Sequence, residues 1–87
     1  MSQQQSYGWL DLDEVRPMLE AEGYTIEVIG NQRLHALHQS HTSEDWSQIY
    51  RRGIVMGRRL ACPGILGVEG QVVYFFPGRY TGLVPRA

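Results

Sequence analysis

Two arginine pairs, Arg51-Arg52 and Arg58-Arg59, stand seven residues apart in an 87-residue chain in which every basic residue is arginine. A spacing of seven returns to one side of a helix, so four guanidinium groups form a basic stripe. None of the four has an acid three or four positions away, so no pair within the helix neutralises them. Guanidinium forks bind carboxylates and phosphates with two parallel hydrogen bonds, which makes an acidic protein face, DNA or RNA the fitting ligands. The plainer alternative is a solvated helix face: arginine is a good helix former, and acids elsewhere in the chain would supply partners.

The histidines and the single cysteine are the other groups capable of chemistry. His35 and His38 fall in a stretch that reads as a strand, where a separation of three sends them to opposite faces and prevents joint metal ligation. With Cys62 the lone thiol and no matching carboxylate spacing, no metal site or cofactor is expected. A thiol-imidazole pair using Cys62 would be the route to an enzyme, but no third, orienting group accompanies it. The glycines between 64 and 70 lack the following Lys-Ser/Thr of a phosphate loop. The expectation is therefore a protein without catalytic residues.

A third candidate is the tip from Phe76 to Gly82, where Arg79 and Tyr80 combine two residue types common at binding hot spots. Trp9 with Tyr7 reads either as a cover for the core or as an exposed anchor.

Charge is segregated along the chain. Residues 1 to 27 hold six acids (Asp11, Asp13, Glu14, Glu20, Glu22, Glu27) and one base, Arg16; residues 51 to 87 hold six arginines and one acid, Glu69. The net charge of −1 argues against a strong nonspecific nucleic-acid binder and favours pairing within the chain or with a polar protein partner. No apolar run reaches the length of a membrane span, and no secretory apolar region is expected at the start. One unpaired cysteine suits a reducing compartment, so the expected location is cytoplasmic.

The elements that must position these groups read as follows. Residues 1 to 10 form a frayed tail and lead-in, and 11 to 87 one domain. Asp11 to Glu22 is a first helix with Asp11 and Glu14 as a capping box and Gly23 as its stop, although Pro17 predicts a short or distorted element. Tyr24 to Ile29 alternates as a strand, Gly30-Asn31 signals a turn, and Arg33 to His38 returns as a second strand. Thr42 to Ala61 is a strongly amphipathic helix, with Thr42 or Ser43 as cap, Glu44 and Asp45 in its first turn, and the arginine stripe centred on Val55.

Gly53 and Gly57 lie on that helix's apolar side, where each costs about 1 kcal/mol relative to alanine, so a sheet or another helix must approach closely. Cys62-Pro63-Gly64 ends the helix. Ile65 to Val68 and Gln71 to Phe76 form a further hairpin about Glu69-Gly70, its second strand apolar on both faces and hence central or covered. Tyr80 to Val84 adds an edge strand. Superposing the two hairpins at an offset of 39 pairs Ile26 with Ile65 and Leu34 with Val73, which allows a duplicated αββ unit.

The expected fold is α+β: one small domain in the order α-β-β-α-β-β, a mainly antiparallel sheet with two helices packed on one face. The expected function is a noncatalytic binding module, a regulator, adaptor or inhibitor. It would act on another protein or on its own copy as a homodimer, through Arg51, Arg52, Arg58, Arg59, Arg79 and Tyr80. Nucleic-acid binding through the arginine stripe is the alternative, and a small enzyme built on Cys62 or a histidine the third.

Overall fold

The computed structural model describes residues 10–77, so Trp9, Tyr7, Arg79, Tyr80, residues 1–9 of the expected tail and the expected edge strand lie outside the described residues. The described part is a small α+β domain in the order α1 (Leu12–Ala21), β1 (Thr25–Val28), α2 (Asn31–Ser40), α3 (Ser43–Leu60), β2 (Ile65–Glu69) and β3 (Val72–Phe75).

Local signals set most of these boundaries. Asp11 caps α1 reciprocally with Glu14: the Glu14 amide donates to Asp11 Oδ1 at 3.3 Å and the Asp11 amide to Glu14 Oε1 at 2.9 Å. Pro17 lies inside α1, which nevertheless runs ten residues. The cost of the lost bond is contained because Val15 and Leu19 on either side are fully buried. Thr42 caps α3, its Oγ1 accepting from the Asp45 amide at 3.0 Å. At the other end Ala61 takes a left-handed conformation, φ 55°, and the Cys62 amide closes back on the Gly57 carbonyl at 2.8 Å.

One element differs in kind from its expectation. Residues 33–38 belong to helix α2, not to a second strand, so the order is α-β-α-α-β-β. Asn31 to Ser40 contains no β-branched residue, and Gln32, Arg33, Leu34, Ala36 and Leu37 are good helix formers. Leu34 and Leu37, three apart, share the side of α2 that faces the core. The loss of that strand also removes the first hairpin and with it the duplicated αββ unit.

The sheet is consequently mixed, in the order β1-β3-β2. β1 runs parallel to β3 with Ile26 beside Val73, and β2 is antiparallel to β3 with Val68 beside Val73. The apolar β3 is the central strand, as its sequence predicts. Helices occupy both faces rather than one, because side chains alternate along β3. Val73 and Phe75 pack with Val15 and Leu19 of α1 and Met56 and Leu60 of α3. Tyr74 and Val72 face the other way, against Leu34 and Leu37 of α2 and Trp46 and Ile49 of α3. A bulge between Ile65 and Gly67 turns Leu66 into this second cluster.

Helix α3 reaches both faces by lying against β2, its principal contact. Gly53 is the point of closest approach: a Cβ there would meet the Leu66 carbonyl oxygen and stand 2.5 Å from both the Gly67 nitrogen and Cα. Reciprocally, a Cβ on Gly67 would stand 2.7 Å from Ile49 Cγ2. The glycines of the apolar side thus seat the helix on its own sheet. Of the two partners expected at these glycines, a sheet or another helix, it is the sheet that approaches Gly53. Among the described residues no helix is long and apolar enough to cross a membrane.

Candidate functional site

The packing of α3 decides where its arginines stand. With Ile49, Gly53, Met56 and Leu60 buried against the sheet, Arg51, Arg52, Arg58 and Arg59 are all exposed, and Val55 at the centre of the stripe keeps 62% of its surface in solvent. Three of them rim a groove of about 610 Å³, Arg51, Arg52 and Arg59, together with Tyr24, Val55, Met56, Val68 and Gly70. The groove is basic along the helix and apolar where Tyr24, Met56 and Val68 contribute. Arg58 belongs to the same helix face but not to the groove lining.

Acids of the first third of the chain reach this face at one point. Glu22, at the end of α1, takes Arg59 in a two-pronged contact, Nη2 to Oε1 at 3.1 Å and Nη1 to Oε2 at 3.4 Å. Both side chains are about half exposed, so the pair contributes at most about 1 kcal/mol. Among the described residues no carboxylate lies within ion-pair distance of Arg51, Arg52 or Arg58. Among the described residues the stripe is therefore paired through one arginine of four. Among the described residues, Asp13 and Glu20 of α1 make no such contact.

The histidines are arranged quite differently from two faces of a strand. His38, on α2, packs edge-on against Trp46 with ring centroids 4.3 Å apart, and the His41 ring lies 6.2 Å from the same indole. His41 occupies the corner between α2 and α3, where Nδ1 is 2.8 Å from the Leu37 carbonyl oxygen and Nε2 is 2.9 Å from Glu69 Oε2. The Tyr74 hydroxyl donates to the other carboxylate oxygen, Glu69 Oε1, at 2.7 Å. Each group shifts accordingly. Hydrogen bonding to Glu69 raises the His41 pKa, and hydrogen bonding from His41 and then Tyr74 holds the Glu69 carboxyl below its ordinary value. Burial, reinforced by the bond to Glu69, pushes the Tyr74 phenol up to about 12. No local pattern marks this cluster, because His41 and Glu69 are 28 positions apart and meet only after β2 and the α2–α3 corner are folded together.

Cys62 is fully buried in the cluster of Val15, Leu19 and Val73, and desolvation raises its thiol pKa. The histidines lie with α2 on the other side of the sheet, so the structure does not bring a thiol and an imidazole together. Among the described residues no group of three or more His, Cys, Asp or Glu side chains is arranged to hold a metal ion. What the arrangement can do chemically is bind anions along α3. Comparison with protein-family models, curated proteins and solved structures finds no match to this chain.

Proposed function

We propose that this small α+β domain is a noncatalytic binding module whose arginine groove receives an acidic, partly apolar segment of a partner protein. The observation that carries this reading is the groove itself: Arg51, Arg52 and Arg59 stand along one wall of a cleft to which Tyr24, Val55, Met56 and Val68 contribute apolar surface. Carboxylates would engage the guanidinium forks while an aliphatic or aromatic side chain between them fills the apolar part. Such a mixed surface suits a protein segment better than a phosphate backbone, which offers charge and little apolar area at that spacing. The net charge of −1 favours the same choice.

The acidic segment belongs to another protein or to a second copy of this chain, since Asp13, Glu14 and Glu20 are exposed on α1. An unpaired Cys62 is compatible with a cytoplasmic setting. The test is fluorescence anisotropy with a labelled twelve-residue peptide of glutamates around a central Leu-Phe pair, beside labelled duplex DNA and single-stranded RNA. Binding of the peptide in preference to both nucleic acids supports the proposal. Preference for nucleic acid, with affinity falling steeply as salt rises, would replace it with the phosphate-binding alternative. Sedimentation of the chain alone reports whether a second copy is the occupant.

A further inference from the structure

The exposed faces of α1 and α3 carry one spacing with opposite charge. On α3, Arg51, Arg52, Val55 and Arg58 stand in solvent at positions i, i+1, i+4 and i+7. On α1 the same four positions hold Asp13, Glu14, Pro17 and Glu20, all of them exposed. Such a set covers about 120° of a helix surface and about 10 Å of its length. Each face therefore places an apolar residue between charged ends, acids on α1 and arginines on α3, and the ends match whichever way the two helices run. Met18 borders the α1 face with 42% of its surface exposed, and Val55 at the centre of the α3 face keeps 62%.

Within one chain these faces do not meet. Val15 and Leu19 of α1 and Met56 and Leu60 of α3 join one cluster through their buried sides, which leaves the charged sides outward. Among the described residues Asp13, Glu20, Arg51, Arg52 and Arg58 have no ion-pair partner, and Glu14 commits one carboxylate oxygen to the Asp11 amide. Tyr24, Met56 and Val68 of the groove pack with the same cluster as Val15 and Leu19, so α1 and the groove lie on one side of the sheet. A second copy turned about a two-fold axis on that side brings each α1 to the other copy's α3, and the contact is made twice. A net charge of −1 leaves two copies with little mutual repulsion.

We propose that the occupant of the arginine face is α1 of a second copy of this chain, in a reciprocal two-fold dimer: Asp13, Glu14 and Glu20 meet Arg51, Arg52 and Arg58 while Pro17 and Met18 cover Val55. The proposal rests on the reading of the groove as the docking surface, and it names the partner of that same site. Arg59 stays with Glu22 of its own chain, closing the end of the groove. Exposed charge pairs set register and speed of encounter more than affinity, and the apolar area between them is small. The dimer is therefore a transient one that loosens as salt rises.

The experiment is sedimentation of the full chain at low salt, up to about 1 mM, with two charge-reversed variants. One carries Asp13→Arg with Glu20→Arg, the other Arg51→Glu with Arg58→Glu, and circular dichroism checks that each is folded. The wild-type chain should dimerise with rising concentration, and each variant alone should self-associate at least about tenfold more weakly, because like charges now face each other. An equimolar mixture of the two should associate again, since both reciprocal contacts then join opposite charges. The neutral variant Asp13→Asn with Glu20→Gln, gentler on the helix, should weaken the dimer about threefold. A chain that stays monomeric, a dimer indifferent to the reversals, or a mixture no stronger than its components would overturn the inference. The acidic Leu-Phe peptide, added to a dilute and therefore monomeric chain, reads the groove separately: its binding to a chain that never dimerises overturns the second copy as occupant and keeps the groove as a docking surface, whereas a chain that neither dimerises nor binds the peptide overturns both.

Discussion

Arg59 and Glu22 meet across 37 positions of sequence, from the last turn of α3 to the cap of α1, with two nitrogen-oxygen contacts at 3.1 and 3.4 Å. This pair occupies one end of the groove with an acid from the same chain. It shows in miniature what the remaining arginines can accept, and it leaves Arg51 and Arg52 along the rest of the wall.

Replacing Glu22 separates stability from binding. Glu22→Gln should change unfolding free energy by less than about 1 kcal/mol in urea titrations, as expected for an exposed pair. The same variant should bind the acidic peptide more tightly, because Arg59 no longer has a competitor. Weaker binding would mean that Glu22 orients Arg59 for its ligand instead of occupying it.

Gly53 carries the seating of α3 on the sheet. A methyl group there would collide with the Leu66 carbonyl and the Gly67 backbone, atoms that cannot swing aside. Gly53→Ala should therefore destabilise by about 1 to 3 kcal/mol despite alanine's better helix propensity. Gly57→Ala, whose Cβ would stand 3.1 Å from the Cys62 carbonyl oxygen, should cost less. Chemical denaturation of both variants gives the comparison, and equal losses would place the close contact elsewhere.

Stability should depend on pH at both ends of the His41–Glu69 contact. The raised folded-state pKa of His41 means its contribution is complete below the ordinary histidine range and is lost as pH rises through the folded value. The lowered folded-state pKa of Glu69 means its contribution is present above the ordinary carboxyl range and is lost as pH falls through the folded value. Thermal melting from pH 3 to 9 should show both limbs, and His41→Gln should flatten the alkaline one.

Cys62 should resist thiol reagents in the native protein, since its side chain is fully buried and its pKa raised by desolvation. Modification by a disulfide reagent is expected only at the rate of unfolding, with full reaction in denaturant. Rapid labelling of the native chain would place the thiol outside the core.

The sequence made some parts of this molecule legible and hid others for definite reasons. The caps at Asp11 and Thr42, the amphipathic α3 and the β2–β3 hairpin depend on neighbours within four positions or on a strong period, so local patterns suffice. Arg33 to His38 was ambiguous because a short segment with few apolar residues fits a period of two almost as well as 3.6. The parallel pairing of β1 with β3 joins residues 47 apart, Ile26 and Val73, and no local pattern specifies it. The arginine face could be read from its spacing of seven. Its apolar groove could not, because Tyr24, Val68 and Gly70 come from segments that the fold alone brings beside α3.

The central claim is best tested by mapping where the acidic Leu-Phe peptide lands on the ¹⁵N-labelled chain. Shifts concentrated on Arg51, Arg52, Val55, Arg59, Tyr24, Val68 and Gly70, and binding weakened at least about tenfold when Arg51, Arg52, Arg58 and Arg59 are all changed to glutamine, are the predicted result. Shifts confined to other surfaces, or unchanged affinity in the quadruple variant, would contradict it.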